Sequence, residues 1–198
     1  MKRALLVVCV ACGSRAHEPP PTPPVATPPA NASSPSSWLL PEGWTREEIP
    51  FPLEFAPSIP HRGVEELRFP PGFLKADSPN RWSYAFEWVV TDAADLDAPV
   101  LAAELTAYFR GLLVSVDGDK KRFDPTAIIA TADAREDMFV VKARIFDAFG
   151  DAKAIELEGW ARRTACGSER VVWRFVMAPP SSPIRKELDD LAARPPCT

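Results

Sequence analysis

The sequence predicts an α+β domain in which an antiparallel meander curls around one central helix, with a short helix at its C-terminal end. Three observations carry this. In Arg81-Trp82-Ser83-Tyr84-Ala85-Phe86-Glu87-Trp88-Val89-Val90 bulky apolar residues alternate strictly, which is the period of a half-buried strand. Over residues 98–113, Leu101, Leu105, Tyr108 and Leu112 recur at helical spacing behind a capping acid, Asp97, and a first-turn proline, Pro99. Beyond that helix, stretches at 126–132, 138–147, 154–163 and 170–177 read as strands separated by turn-length gaps, and gaps so short join antiparallel neighbours.

Each element has its own justification. Residues 38–73 are apolar but interrupted by Pro41, Pro50, Pro52, Pro57, Pro60, Pro70 and Pro71. Proline withdraws a ladder donor, so this stretch is expected to be an extended strap pinned by Trp38, Leu39, Trp44, Phe51, Leu53, Phe55 and Ile59, with one short strand at 64–69. The aromatic strand puts Trp82, Tyr84, Phe86, Trp88 and Val90 on one face. Phe139, Val141, Ala143 and Ile145 face inward on the second strand after the helix, and Val171, Trp173, Phe175 and Met177 on the fourth. The turns fall at 133–137, 149–151 and 166–168. Pro179-Pro180 ends the sheet, and Ser182-Pro183 opens a final helix with Ile184, Leu188 and Leu191 on one stripe. The order β-β-α-β-β-β-β-α is similar to cystatin-like and hotdog-like architectures, a resemblance of element order that implies no function.

The chain is uneven along its length. Of 198 residues, 46% are hydrophobic and 25% charged, values of a globular domain, yet there are 23 prolines and most of them precede residue 61. The N-terminus reads Met1-Lys2-Arg3, a short apolar run at 4–8, then Ala11-Cys12-Gly13, the grammar of an export signal too short to span a bilayer. It resembles the lipobox of bacterial lipoproteins, with Cys9 where that family usually has Leu. The resemblance implies a signal peptide over 1–11, a diacylated Cys12, and attachment to the bacterial cell envelope through the acyl chains. Gly13 in place of Asp points to the outer membrane. Residues 12–37 then form the lipidated Cys and a Pro-rich spacer, and 38–198 a single domain. Polyproline geometry at about 3.1 Å per residue lets such a spacer reach up to about 70 Å.

Formal net charge is −4; with Lys2 and Arg3 removed, 21 basic residues face 27 acidic ones, giving −6. That balance argues against a nucleic-acid partner. No Gly-rich phosphate loop, His-Glu-x-x-His, Gly-x-Ser-x-Gly or Cys-x-x-Cys is present, so no cofactor and no metal are expected. His61 reads as a surface loop residue, Asp117-Gly118-Asp119 as a turn, and Lys120-Lys121-Arg122 and Arg162-Arg163 as solvated loop ends. Glu66 and Arg68 share one strand face as a cross-strand ion-pair candidate, with Glu65 and Leu67 on the other. Cys166 and Cys197, an even pair in an exported domain, are expected to form a disulfide. On the strand at 154–163, burying Ile155 and Leu157 pushes Trp160 outward among Glu156, Glu158 and Arg162, which makes these four the candidate binding patch. The leading expectation is a non-catalytic, envelope-tethered domain that binds a protein or an envelope polymer or other component. The alternative is a hotdog-like enzyme using Glu104 on the central helix. Detergent partitioning tests the anchor: Cys12→Ala is expected to leave the detergent phase, and a variant that partitions like wild type contradicts lipidation.

Overall fold

A computed structural model describes residues 38–91 and 95–197; the signal peptide, Cys12 and the spacer lie outside the described residues. Seven strands, β1 (Thr45–Pro50), β2 (Gly63–Phe69), β3 (Tyr84–Val90), β4 (Ile129–Arg135), β5 (Met138–Phe146), β6 (Ala154–Cys166) and β7 (Arg170–Ala178), form one sheet in the order β1-β2-β3-β7-β6-β5-β4. Every neighbouring pair is antiparallel. The long helix α1 (Ala98–Asp117) carries the chain from β3 to the far edge at β4, and the short helix α2 (Arg185–Ala192) follows β7. This is the expected α+β arrangement of a meander packed on a central helix with a short C-terminal helix.

Alternation divides the sheet into two chemically different faces. Toward α1 point Leu67, Tyr84, Phe86, Trp88, Val90, Val141, Ala143, Ile145, Leu157, Val171, Trp173, Phe175 and Met177, all in one buried cluster with Leu101, Leu105, Tyr108, Phe109 and Leu113 of the helix. Phe86 is the centre of this core, stacking on Phe175 at 4.3 Å and on Tyr108 at 5.6 Å. The opposite face packs Ala85, Val176 and Ala178 against Ile184, Leu188, Leu191 and Ala192, with Trp38 sealing the group. α1 begins as expected, with the Val100 N–H donating to Asp97 Oδ1 at 2.9 Å, but it runs on to Asp117, beyond the apolar stripe.

Three differences from the expected layout have physical reasons. The proline-rich strap contains a strand: β1 pairs with β2 along its whole length, because Pro50 comes last and the strand is an edge, where a missing donor costs no ladder bond. Trp82 is buried, but not by strand phase. It stands before β3 with φ +58°, held in a turn by the Phe73 carbonyl and by its indole N–H donating to Asp147 Oδ1 at 3.1 Å. The β4–β5 turn shrinks to Glu136-Asp137, so residues 133–135, expected in the turn, extend β4.

α1 is fixed toward the β4 side of the sheet. The Thr106 hydroxyl accepts the Ala130 N–H of edge strand β4 at 2.9 Å, and Arg110 donates to the Pro125 and Ile128 carbonyls, both at 3.0 Å. A glycine permits the next contact: a Cβ on Gly111 would lie 1.9 Å from the Phe55 carbonyl oxygen, so the segment after β1 crosses the helix only where a side chain is missing. Cys166 at the end of β6 and Cys197 after α2 are joined, with Cα atoms 5.3 Å apart. Closing a 31-residue loop constrains the unfolded chain by roughly 3–4 kcal/mol in the chain-entropy model. Peptide mapping of the unfolded, unreduced protein after thiol alkylation is expected to leave positions 166 and 197 unlabelled, and reduction to lower stability by about that amount. Alkylation of both positions contradicts the bridge.

Candidate functional site

The sequence singled out the outward face of β6. Trp160 is half-buried there, under α2: its indole N–H donates to Asp189 Oδ1 at 2.7 Å and the Arg162 guanidinium lies 5.5 Å from its ring centroid. Glu158 pairs with Lys142 at 3.4 Å, Glu156 with Arg144 at 3.7 Å, and Arg162 with Asp137 at 3.1 Å. The structure thus brings the four residues onto one face and gives each charge a partner. Glu104 is elsewhere, on α1, with its carboxylate 2.9 Å from His61 Nε2. His61 is buried, 3% exposed, and not the surface residue expected; Phe51 and Trp88 pack against its ring at 5.8 and 5.7 Å. Arg122 is exposed in a loop, as expected, but its guanidinium is engaged. It binds Asp117 at 2.6 Å and donates to the Ala148 and Gly150 carbonyls. Glu66 and Arg68 pair at 3.0 Å along the same strand and not across strands.

A second location has a shape the sequence reading did not anticipate. Because α1 lies toward β4, the β1–β3 end of its sheet face is roofed only by loops, and between roof and sheet remains a cavity of about 570 Å³. Glu47 and Ile49 of β1, Leu67 and Phe69 of β2, and Tyr84 of β3 form its floor; Tyr108, Leu112 and Val116 of α1 form one side; Phe55, Phe73, Leu74, Trp82 and Phe149 close the rest. That volume lies within the usual range of small-molecule sites, and seven aromatic residues among the lining make it strongly apolar.

The walls are held in place from behind. Arg81 grips Asp147 through two bonds, 2.8 Å from Nε and 2.7 Å from Nη2, and its third donor reaches the Leu74 carbonyl. Asp147 in turn fixes the Trp82 indole, and Arg122 holds the carbonyls on either side of Phe149. Phe69, Phe73 and Tyr84 pack on one another at 4.5 to 6.0 Å.

Next to the lining residues Ile49 and Tyr108 the chemistry changes. Glu65 is fully buried on β2, in phase with Leu67 and therefore on the α1 face, opposite Ile49 of the cavity floor. The Trp88 indole donates to its Oε1 at 3.2 Å and the Tyr108 hydroxyl lies against the same carboxyl. Glu65 Oε2 and the Tyr84 hydroxyl are buried with no hydrogen-bond partner among the described residues. Burial pushes the Glu65 carboxyl up to about 8, opposed by the Trp88 and Tyr108 hydrogen bonds. Burial likewise raises Tyr84 and Tyr108, with the Glu65 carboxyl adding to both, so at neutral pH the group is two phenols and a neutral acid. Buried polar atoms without a protein partner are costly to the fold.

The sequence carried one signal for this group: Glu65 occupies the apolar phase of β2, where a strand facing a core should have a hydrocarbon. The cavity itself had no signal, because its walls come from loops whose paths no periodicity predicts. No protein-family model matches the chain, and no curated protein or solved structure matches it.

The Glu65 shift is a stability statement. Between the ordinary carboxylate value of 4.5 and about 8 the folded protein holds a proton that the unfolded chain has released, so stability from this group falls as pH rises through that window. Urea unfolding of wild type and Glu65→Gln across this range is expected to give a difference favouring the variant that grows with pH and levels off above about 8. Parallel curves contradict a buried, neutral Glu65.

Proposed function

We propose that this is a non-catalytic binding module of the cell envelope that takes a small, largely apolar molecule into the cavity between α1 and strands β1 to β3. The observation that carries the reading is the cavity of about 570 Å³ lined by Tyr84, whose buried hydroxyl has no hydrogen-bond partner among the described residues; Glu65, next to the lining residues Ile49 and Tyr108 but not itself in the lining, has its Oε2 likewise unpartnered. An apolar body removes aromatic and aliphatic surface from water, about 25 cal/mol per Å², while one polar group on the ligand satisfies the Tyr84 hydroxyl. The braced walls support it, since a preformed site loses less ordering entropy on binding. The tether expected from the N-terminal sequence makes envelope components the natural pool of ligands. Glu104, the residue on which an enzymatic reading rests, is engaged by His61 at 2.9 Å.

Decanol is a simple neutral probe. It is expected to raise the melting temperature of wild type in a saturable way, by an amount corresponding to about 2.7 kcal/mol when free probe is about a hundredfold above Kd. Leu112→Trp, which puts a large ring into the cavity from a half-buried helix position, is expected to fold and to abolish the shift. An undiminished shift in that variant places binding elsewhere.

A further inference from the structure

We propose, resting on the cavity being a ligand site, that its ligand is a monocation with an apolar body, an alkyl or aryl amine whose ammonium group seats at the Tyr84 hydroxyl, on the side of the cavity where the Glu65 carboxyl lies next to the lining. Charge complementarity is the first support. The lining contains Glu47, exposed at the mouth, and no Lys, Arg or His. Two basic residues that brace the walls are already neutralised, Arg81 by Asp147 at 2.6 Å and Arg122 by Asp117 at 2.6 Å. A carboxylate ligand would meet Glu47 with no counter-charge in the lining, whereas an ammonium meets that acid and has the Glu65 carboxyl just beyond Tyr108.

Donor and acceptor counting is the second support. An ammonium brings three donors and no acceptor, and the orphaned groups are a carboxyl oxygen and a phenol oxygen, both able to accept. Aromatic faces are the third. Tyr84 and Tyr108 both line the cavity, where the quadrupole of a ring favours a desolvated cation.

Proton linkage then follows from the surroundings of Glu65. Facing its carboxyl are Glu47 from β1, Tyr84 and the Trp88 indole from β3, and Tyr108 from α1; beyond Trp88, His61 is paired with Glu104. None of the groups facing the carboxyl is a cation, so an arriving ammonium is the one charge that favours the carboxylate form. Glu65 then loses its proton as the amine binds, and affinity rises with pH toward about 8.

Isothermal titration of decylamine, decanol and decanoate into the wild-type protein, at about pH 6.5 and about pH 8, in buffers of different ionisation enthalpy, tests this. Decylamine is expected to bind at least about tenfold more tightly than decanol at the higher pH, with decanoate weakest. Its affinity should rise with pH, and its heat at the lower pH should depend on the buffer because a proton is released. Glu65→Gln is expected to bring decylamine to within about twofold of decanol measured in the same variant; Tyr84→Phe should weaken all three. If decanol binds, is blocked by Leu112→Trp, and decylamine is no tighter, the cavity is a ligand site and the cationic assignment is overturned. If none of the three saturates, the binding reading falls and the assignment with it. Should Glu65→Gln not fold, the buffer dependence decides: decylamine binding without proton release at about pH 6.5 overturns the role of Glu65.

Discussion

Six inter-strand spacings of about 4.8 Å make a seven-stranded face about 29 Å wide, whereas a helix with its side chains is about 10–12 Å across. One helix therefore cannot cover the apolar face that Trp88, Phe86, Phe175 and Leu157 create, and where it settles decides what is left over. Thr106 and Arg110 tie α1 to β4 and to the segment just before it. The uncovered width falls at β1 to β3, and the segments before β2 and before β3 fold back over it with Leu53, Phe55, Ile59, Phe73 and Trp82. Loops cannot fill such a space as a second helix would. The cavity is the remainder, and it survives because Arg81, Asp147 and Arg122 brace its roof by hydrogen bonds instead of by dense packing.

Adjacent residues of β2 show how differently the two faces treat charge. On the face away from α1, Glu66 pairs with Arg68 at 3.0 Å, and across the strands Glu87 pairs with Arg174 at 2.7 Å. Both guanidinium groups stack on the Trp38 ring, at 4.7 and 4.9 Å, and Trp38 donates to the Leu191 carbonyl of α2. Burial raises Glu87, but the Arg174 charge and hydrogen bond oppose it, so that network is internally compensated. One residue earlier, Glu65 turns to the other face and meets aromatic rings, an indole N–H and two phenols, with no cation. A fold that compensates four buried charges on one side and leaves a carboxyl oxygen unpartnered on the other is locally inconsistent there, and such inconsistencies are where function tends to reside.

The sequence was most legible where local periodicity and tertiary packing agree. Alternation in β3, β5 and β7, the Asp97 cap and the Cys166–Cys197 bridge all appear where the residues put them, because each is decided within a few residues or by the two thiols the domain contains. β1 was hidden by its prolines, which forbid a central strand but tolerate an edge. His61 was hidden because a Pro-His-Arg-Gly context describes a loop and says nothing of what the loop lies on; here it lies on Trp88 and Glu104. Trp160 was correctly phased to the face away from α1, but α2, which begins 25 residues further along the chain, returns to cover part of it. For Glu65 the phase was legible and its significance was not, since whether an inward acid meets a partner depends on strands distant in sequence.

The most direct measurement is the titration of the Glu65 side-chain carboxyl, followed by its carbon-13 resonance in protein labelled at glutamate and assigned with Glu65→Gln. A midpoint near 8 in the free protein, moving down when decylamine is added, is the result expected of a buried neutral acid beside the cavity. A midpoint near the ordinary carboxylate value of 4.5, unmoved by the amine, would contradict it.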